Sequence, residues 1–402
     1  MTPLSARLSQ GFCLLGHAYM HLLVALFLTI VLGLEHIWER QYADLIGVWT
    51  VGALFVGLLA PLAGFLGDKW STPGMMAVFF LGTGGAAMAC GLADGPLALG
   101  FALGALGLFA SILHPVGMAW LVRVSINRGM ALGVFGVFGN VGVAGAGIMA
   151  AAFMDGVSWR AAFMVPGAVS LATGLVLVAC IASGLVGDER HDRAPQEEAS
   201  RADMFRTFFS LSATVLFGGL IYQSTQVALP KALTLRLPGL EEGGLLATGM
   251  LFTAIYLTGG TLQLVGGWLA DRYPLKWVYF WTYLLQVPFL FAAAALTGLP
   301  FVVAVVVMVV LNVGSLPAEN SLLARYTPVR WRGSAFGAKF VLSLGVTPVA
   351  VQLVSWIQGT TGGFFWLFTL LGGAGLLGVI AILRLPGEDE EILREAVTGA
   401  AE

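Results

Sequence analysis

The stretch GFLGDK at residues 64–69 recurs as GWLADR at residues 267–272, at an offset of 203. In each copy a Gly precedes an Asp by four residues, and a basic residue follows that Asp directly. Further matches lie downstream at offsets of 202 to 204, where Arg123, Arg128-Gly129 and Gly133 correspond to Arg325, Arg332-Gly333 and Gly337. Separate matches at nearly one spacing indicate that the chain is a duplication of one unit.

The composition excludes a water-soluble domain. Of the 402 residues, 58% are hydrophobic and 10% are charged, whereas a soluble domain carries about 25% charged residues. Lipid is the solvent in which such a chain is stable. The net charge of −2 gives no reason to expect a nucleic-acid partner, and the 3 cysteines follow no disulfide or metal-ligand spacing.

Twelve apolar segments are each long enough to span a bilayer core, which needs about 20 helical residues. We number the predicted helices α1 to α12 in chain order. Their predicted ranges are 11–34, 45–66, 73–93, 96–122, 130–153, 160–185, 207–229, 244–270, 276–297, 299–324, 334–357 and 362–384.

Charged segments divide the chain into four predicted parts. Residues 1–186 form a first six-helix bundle, and residues 207–385 form a second. Residues 187–206 between them are a charged cytoplasmic linker without an apolar run, and residues 386–402 are an acidic cytoplasmic tail.

The Lys and Arg residues predict the orientation. Of the 20 Lys and Arg residues, 15 fall on the side that carries both termini, 4 fall on the other side and Lys339 lies within a helix. Positive residues concentrate on the cytoplasmic side of membrane proteins. Both termini are therefore predicted to be cytoplasmic.

The repeated loop residues resemble the cytoplasmic loop signature of the major facilitator superfamily. The final basic pair of that signature is replaced by Ser71-Thr72-Pro73 in the first copy, while Lys276 remains in the second. The resemblance extends over the whole chain and implies an all-α integral membrane fold of two pseudo-symmetric six-helix bundles. It also implies a conformational gate formed by Gly64, Asp68, Lys69, Arg128, Gly267, Asp271, Arg272 and Arg332. Breakable contacts there suit a structure that rocks between two states.

A glycine ladder in α5 is a further feature similar to this superfamily. Small residues let membrane helices approach closely, and Asn140 is expected to form an interhelical hydrogen bond. The residues assigned to packing are Gly136, Gly139, Asn140 and Gly142. Together with His114-Pro115 in α4, this region resembles the fosmidomycin-resistance branch, which implies proton-coupled antiport and efflux of a drug-like or metabolic anion.

Histidines in α1 and α4 are candidates for the substrate and proton cavity, because superfamily members place α1, α4, α7 and α10 around it. His17 and His21 are four residues apart and share one helix face. Because histidine titrates near neutral pH, the pair suits proton transfer or anion binding. Neutral histidines that bond between helices are the alternative. Pro115 is predicted to kink α4 beside His114, which lines the cavity or marks a structural kink.

Polar residues in α7 and α10 complete the predicted cavity. Tyr222, Gln223 and Gln226 supply donors and acceptors for a substrate, or belong to a loop edge. Glu319, next to Asn320, is a candidate proton carrier, with an ion pair to Arg325 or Lys339 as the alternative. Lys339 itself is expected to extend its amine to the cytoplasmic interface, with a role as counter-charge for an anionic substrate as the alternative.

The predicted function is secondary active transport of a small organic solute by alternating access, coupled to protons. No GxxxxGK[ST] loop is present, so we do not expect the protein to use ATP. We also expect that it needs no cofactor and is not an enzyme. The partners are a small-molecule substrate, protons and the lipid bilayer, and the protein is expected to be a monomer in a bacterial inner membrane. No catalytic or metal-ligating set is assigned.

A copper or other metal importer of the same superfamily is the alternative function. Soft ligands occur at His17, Met20, His21, His114 and Met118.

Overall fold

The computed structural model describes residues 2–125, 128–187, 201–328 and 332–386, and within these it is helical without strands. Among the described residues, eleven helices are long and apolar enough to cross a membrane, and there are twelve when a bent pair of helices is counted as one span. The predicted all-α fold of membrane-spanning helices is therefore confirmed. Residues 188–200 of the predicted linker and 387–402 of the predicted tail lie outside the described residues, as do the side chains of Arg128 and Arg332.

The twelve helices follow the predicted order. The first bundle contains α1 (Pro3–Ile37), α2 (Tyr42–Leu58 and Ala60–Lys69), α3 (Thr72–Gly91), α4 (Pro96–Val124), α5 (Arg128–Gly156) and α6 (Trp159–Ala182). The second contains α7 (Arg201–Arg236), α8 (Gly244–Arg272), α9 (Leu275–Ala295), α10 (Gly298–Arg325), α11 (Arg332–Gly345 and Thr347–Thr361) and α12 (Phe365–Leu383).

The helix α7 begins earlier than predicted. It starts at Arg201, so residues 201–206 of the predicted linker are helical. Asp203 lies in the first turn, where an acidic side chain interacts favourably with the helix dipole. A polar helix end can extend beyond the hydrocarbon core because water solvates it there, and the apolar run alone therefore underestimates the length of the helix.

Breaks in the helices coincide with prolines. The two segments of α2 meet at an angle of 42° just before Pro61. A π-helical turn at Leu113–Gly117 contains Pro115 and interrupts α4. The helices α10 and α11 break at Ser315 and Val346, each followed two residues later by a proline. Proline lacks the backbone N–H and clashes with the preceding turn, which explains why the regular α-helix is interrupted at these points.

The packing of the second bundle repeats that of the first. In the first bundle α1 packs on α5 and α3 on α6, and in the second α7 packs on α11 and α9 on α12. The bundles meet along α5 with α8 and along α2 with α11. The interior between α1, α4, α7 and α10 therefore remains free for a cavity.

Glycines of α5 allow its close packing. A Cβ on Gly142 would overlap the Ala18 carbonyl of α1, and a Cβ on Gly139 would meet the His17 ring. Toward α8, the Asn140 amide donates a 2.7 Å hydrogen bond to Gln263 Oε1. The ladder thus fixes α1 on one side of α5 and α8 on the other.

Replacing Gly142 with Leu is expected to lower the free energy of unfolding by about 1–3 kcal/mol, because an inserted side chain overpacks the α1–α5 contact. The apparent melting temperature in detergent measures this loss. Gly133→Leu is the matched control on the same helix, since nothing lies within 4 Å of a Cβ at Gly133. Equal destabilisation in both variants would contradict the proposed origin of the effect.

Candidate functional site

A large cavity of about 2950 Å³ lies between the two bundles. Its walls are formed mainly by α1, α2, α4 and α5 of the first bundle and by α7, α8, α10 and α11 of the second. Both halves of the duplication therefore contribute to one site, as a solute pathway between rocking halves requires.

The cavity is open at the end of the bundles that carries the N-terminus. Exposed side chains of Phe65, Met130, Phe209 and Trp268 line its mouth. Gln10, near the start of α1, lies at this same end. Its amide donates a hydrogen bond to the hydroxyl of Ser125, which directly follows α4 and lies five residues before Met130 in the chain. The cavity therefore has its entrance at the end of the bundles where α1 begins.

Contacts between the bundles close the opposite end. Lys231 of α7 forms an ion pair of 2.7 Å with Glu35 of α1, and both side chains are largely buried. Beside this pair, the Tyr42 hydroxyl donates a 3.0 Å hydrogen bond to the Val227 carbonyl. These polar contacts close this end of the cavity, and they have to break before it can open.

All eight residues predicted for a substrate and proton cavity lie in the walls of the cavity between the bundles. They come from α1, α4, α7 and α10, the helices named by the sequence analysis. The eight are His17, His21, His114, Tyr222, Gln223, Gln226, Glu319 and Asn320.

Three of these residues form a cluster of imidazoles on the first bundle. His17 Nδ1 lies 2.5 Å from the Phe135 carbonyl oxygen, and His17 Nε2 lies 3.1 Å from His21 Nε2. The His114 ring lies 5.2 Å from the His17 ring and 5.5 Å from the His21 ring, between centroids. On the other side His114 stacks on Phe340 of α11, with centroids 4.7 Å apart.

A buried ion pair faces the cavity from the second bundle. Lys339 Nζ lies 2.6 Å from Glu319 Oε1, and the two side chains are 7% and 5% exposed. The Tyr279 hydroxyl donates a 2.6 Å hydrogen bond to Glu319 Oε2, and Lys339 Nζ also donates to Asn320 Oδ1. Both oxygens of the carboxylate are therefore engaged, as a charge buried at membrane depth requires.

The expectation that Lys339 reaches the interface is wrong. Its amine is buried against Glu319 and Asn320. The helix α11 lies along the cavity with Lys339 turned toward α10, so the ammonium is compensated there and has no need to reach bulk water. This pairing also decides between the two cations, Arg325 and Lys339, that were considered as partners of Glu319.

The polar residues of α7 line the wall beside α11. Gln223 and Gln226 are both buried, and the Gln223 amide lies 3.5 Å from the Ser343 carbonyl of α11. The Tyr222 ring packs edge-on against Tyr256 of α8. These side chains thus belong to the cavity wall and not to a loop edge.

The residues of the predicted gate lie at the mouth of the cavity. Asp68, Lys69 and Asp271 all line it. Lys69 and Arg272 lie over the rings of Phe65 and Trp268, at 5.9 Å and 4.8 Å from the ring centroids. Gly64 packs closely on α4, since a Cβ at this position would lie 3.2 Å from the Cβ of Pro115. Gly267 has no such neighbour, because nothing lies within 4 Å of a Cβ there.

Sequence analysis missed four neighbours of these sites, which are Tyr279, Phe135, Phe340 and Gln263. Gln263 carried a signal, because an amide within an apolar span needs a partner. The aromatic residues carried no signal that marks them as site residues, since aromatic rings are frequent both in helix cores and at membrane interfaces.

Two related bundles of apolar helices around a shared polar cavity define a membrane transport protein. The family profile of the Major Facilitator Superfamily matches residues 11–249 and 243–400. The chain belongs to this superfamily.

Comparisons with individual proteins agree with this assignment. The chain is 29% identical over 365 residues to the 4-hydroxybenzoate transporter PcaK of Pseudomonas putida, covering 81% of this chain and 78% of that protein. It is 31% identical over 191 residues to a probable nitrate/nitrite antiporter, NarK1 of Thermus thermophilus, covering 44% and 41%. A bacterial homologue of the human lysosomal transporter Spinster, solved in an inward-facing and occupied conformation, superposes with a TM-score of 0.68 at 15% identity, covering 96% and 95%.

The protein is therefore a multi-pass membrane protein and a secondary transporter of small solutes. It is not an enzyme, and its partners are small-molecule substrates and the lipid bilayer.

Proposed function

We propose that the protein transports a small aromatic carboxylate together with protons. The observation that carries this proposal is the Lys339–Glu319 pair, buried in the cavity wall with a separation of 2.6 Å. A cation at this depth suits an anionic solute, and a neighbouring carboxylate can exchange a proton. The relative PcaK is a transporter of 4-hydroxybenzoate, an aromatic carboxylate.

The pair couples the two ligands through charge. While Glu319 is ionised, it neutralises Lys339 and repels an incoming carboxylate. When Glu319 takes up a proton, the Lys339 charge is left free to bind the substrate anion. Because each ligand favours binding of the other, the proton and the anion move in the same direction.

Aromatic and amide side chains around the pair account for the rest of the specificity. Phe340 and Tyr222 offer ring surfaces on which an aromatic solute can stack. The side chains of Gln223 and Gln226 line the same cavity and supply donors and acceptors for a ring substituent. An apolar body with one carboxylate therefore fits the chemistry of the second bundle.

Alternating access follows from the two ends of the cavity. In the described state the Glu35–Lys231 end is closed and the end with Asp68 and Asp271 is open. Transport requires that the first set of contacts breaks while the gate motif closes. With the predicted orientation the open end faces the cytoplasm of a bacterial cell, across its inner membrane. Since one chain provides both cavity walls, we propose that a monomer is the functional unit.

Efflux by proton-coupled antiport, as in the fosmidomycin-resistance branch, stays a prediction. In that mechanism the proton and the solute move in opposite directions, whereas in cotransport they move in the same direction. In antiport, the proton and the substrate compete for the protein, so an acidic exterior drives the solute out. The charge arrangement at Glu319 favours cotransport, and the sign of the pH effect distinguishes the two mechanisms.

Uptake of labelled 4-hydroxybenzoate into proteoliposomes tests the proposal. We expect an acidic exterior to accelerate uptake above that of protein-free liposomes, which corrects for diffusion of the neutral acid. Unlabelled 4-hydroxybenzoate should compete, while 4-hydroxybenzamide, which has the same ring without the charge, should not. The absence of protein-dependent uptake would refute the substrate class. Acceleration of efflux instead of uptake would replace cotransport by antiport.

A further inference from the structure

The histidine cluster of the first bundle has no role in the anion and proton site proposed above. It joins His17 and His21 of α1 with His114 of the π-helical turn in α4. One nitrogen from each ring can be chosen so that all three lie within 4.8 Å of one another. Three convergent imidazoles are an unusual arrangement at membrane depth, where polar groups are expensive unless they are used.

The surroundings of His17 direct one lone pair into the cluster. Its Nδ1 lies 2.5 Å from the Phe135 carbonyl oxygen, which accepts and cannot donate. Nδ1 therefore carries the proton, and in the neutral ring Nε2 is left with a lone pair that faces His21. A backbone carbonyl that orients a histidine in this way is the usual support of a metal-ligating ring.

His114 provides an independent observation that points to a ligand. Its side chain is buried, and neither ring nitrogen has a hydrogen-bond partner among the residues that the structure describes. A buried polar atom without a partner loses its hydration and gains no hydrogen bond in return, which is unfavourable. The ring stacks on Phe340, and one of its nitrogens lies within 4.8 Å of a nitrogen of each of the other two histidines. A bound ion would satisfy one of them.

We propose that His17, His21 and His114 bind a divalent transition-metal ion, with Zn²⁺ as its representative. Bond lengths of about 2.0–2.1 Å in a tetrahedral site place ligating nitrogens about 3.3 Å apart. The His17 and His21 nitrogens are already 3.1 Å apart. With all three atoms within 4.8 Å of one another, the His114 ring has to approach by about 1.5 Å at most, the difference from the tetrahedral spacing of about 3.3 Å.

The ligand set selects the class of metal. Neutral imidazoles suit zinc and its neighbours, whereas Ca²⁺ and Mg²⁺ require oxygen ligands. Three protein ligands leave one position open, and all three histidines line the cavity through which the ion can enter. A bound ion joins α1 to the π-helical turn of α4 and is expected to restrain the rearrangement of these two helices.

Metal titration of the full-length protein, purified in detergent without a polyhistidine tag, tests the site. We expect one Zn²⁺ per chain by calorimetry and a tetrahedral absorption band with Co²⁺. Each of the variants His17→Gln, His21→Gln and His114→Gln should weaken Zn²⁺ binding at least tenfold. His36→Gln is the matched control, because His36 is an exposed residue of the same helix α1. Unchanged binding in the His114→Gln variant would overturn the proposal.

X-ray absorption of the Zn²⁺-bound wild type is a second test that needs no variant to fold. Three imidazole nitrogens at about 2.0–2.1 Å support the site, whereas sulfur at about 2.3 Å would place the ion on a cysteine and refute it. Both measurements are made without an organic substrate. A negative result therefore leaves the proposed anion transport standing, and failure of anion uptake leaves the metal site standing.

Discussion

Glu319→Gln is expected to abolish the acceleration of 4-hydroxybenzoate uptake by a pH gradient, with at least a tenfold loss of gradient-driven accumulation. The amide has the shape of the protonated carboxylic acid but cannot release a proton. Lys339, which lies 2.6 Å from Glu319 in the wild type, is then free to bind the anion at any pH. Exchange of internal for external substrate should therefore continue, because it requires no net proton movement.

The measurement compares gradient-driven uptake with counterflow in the same proteoliposomes. Asp94→Asn makes the same chemical change on the surface, where Asp94 pairs with Arg160, and should leave both activities at wild-type levels. Full gradient stimulation in the Glu319→Gln variant would exclude this carboxylate as the proton site. The double variant His17→Ala/His21→Ala is the next to test, since these histidines were predicted to carry protons.

Lys339→Gln is expected to lower the free energy of unfolding by about 3–5 kcal/mol, because it leaves the Glu319 carboxylate buried without its counter-ion. The double variant Glu319→Gln/Lys339→Gln removes both charges and should recover most of this stability. Neither variant should bind 4-hydroxybenzoate, since the cation is absent from both. A melting temperature and a binding titration on each variant measure the two effects separately.

The loss of stability is expected to depend on the position of the lysine in the cavity wall. Lys231→Gln is the control for the loss of a lysine outside the cavity wall. Lys231 pairs with Glu35 at the closed end of the cavity. If the single variant is as stable as the wild type, or binds the anion equally well, the assigned role of Lys339 is wrong.

The sequence was sufficient for the architecture. The duplicated GFLGDK and GWLADR stretches indicated two related halves, and twelve apolar segments indicated twelve helices. These signals are reliable because lipid requires every spanning segment to be helical and apolar along its length. The helix ends were less well predicted, as the start of α7 at Arg201 shows, because polar turns beyond the hydrocarbon core are not under that requirement.

Part of the candidate site could also be read from the sequence. Ionisable and amide residues within apolar segments are rare, so His17, His114, Gln226 and Glu319 could be identified before their positions were known. All of them line the cavity. What such residues contact, however, depends on their neighbours on other helices, and the sequence left those alternatives open.

Composition, the lengths of the apolar segments and the repeat by themselves determined that this chain is a membrane protein of two related halves, and the resemblance to the superfamily implied that its polar groups line an interior cavity. Tertiary structure alone decided that Lys339 pairs with Glu319, that Tyr279 completes the pair and that His114 meets the histidines of α1. The physical reason is the number of helices on which each property depends. The preference for lipid acts on each segment separately, whereas an ion pair or a ligand cluster depends on the rotation and depth of several helices fixed by packing.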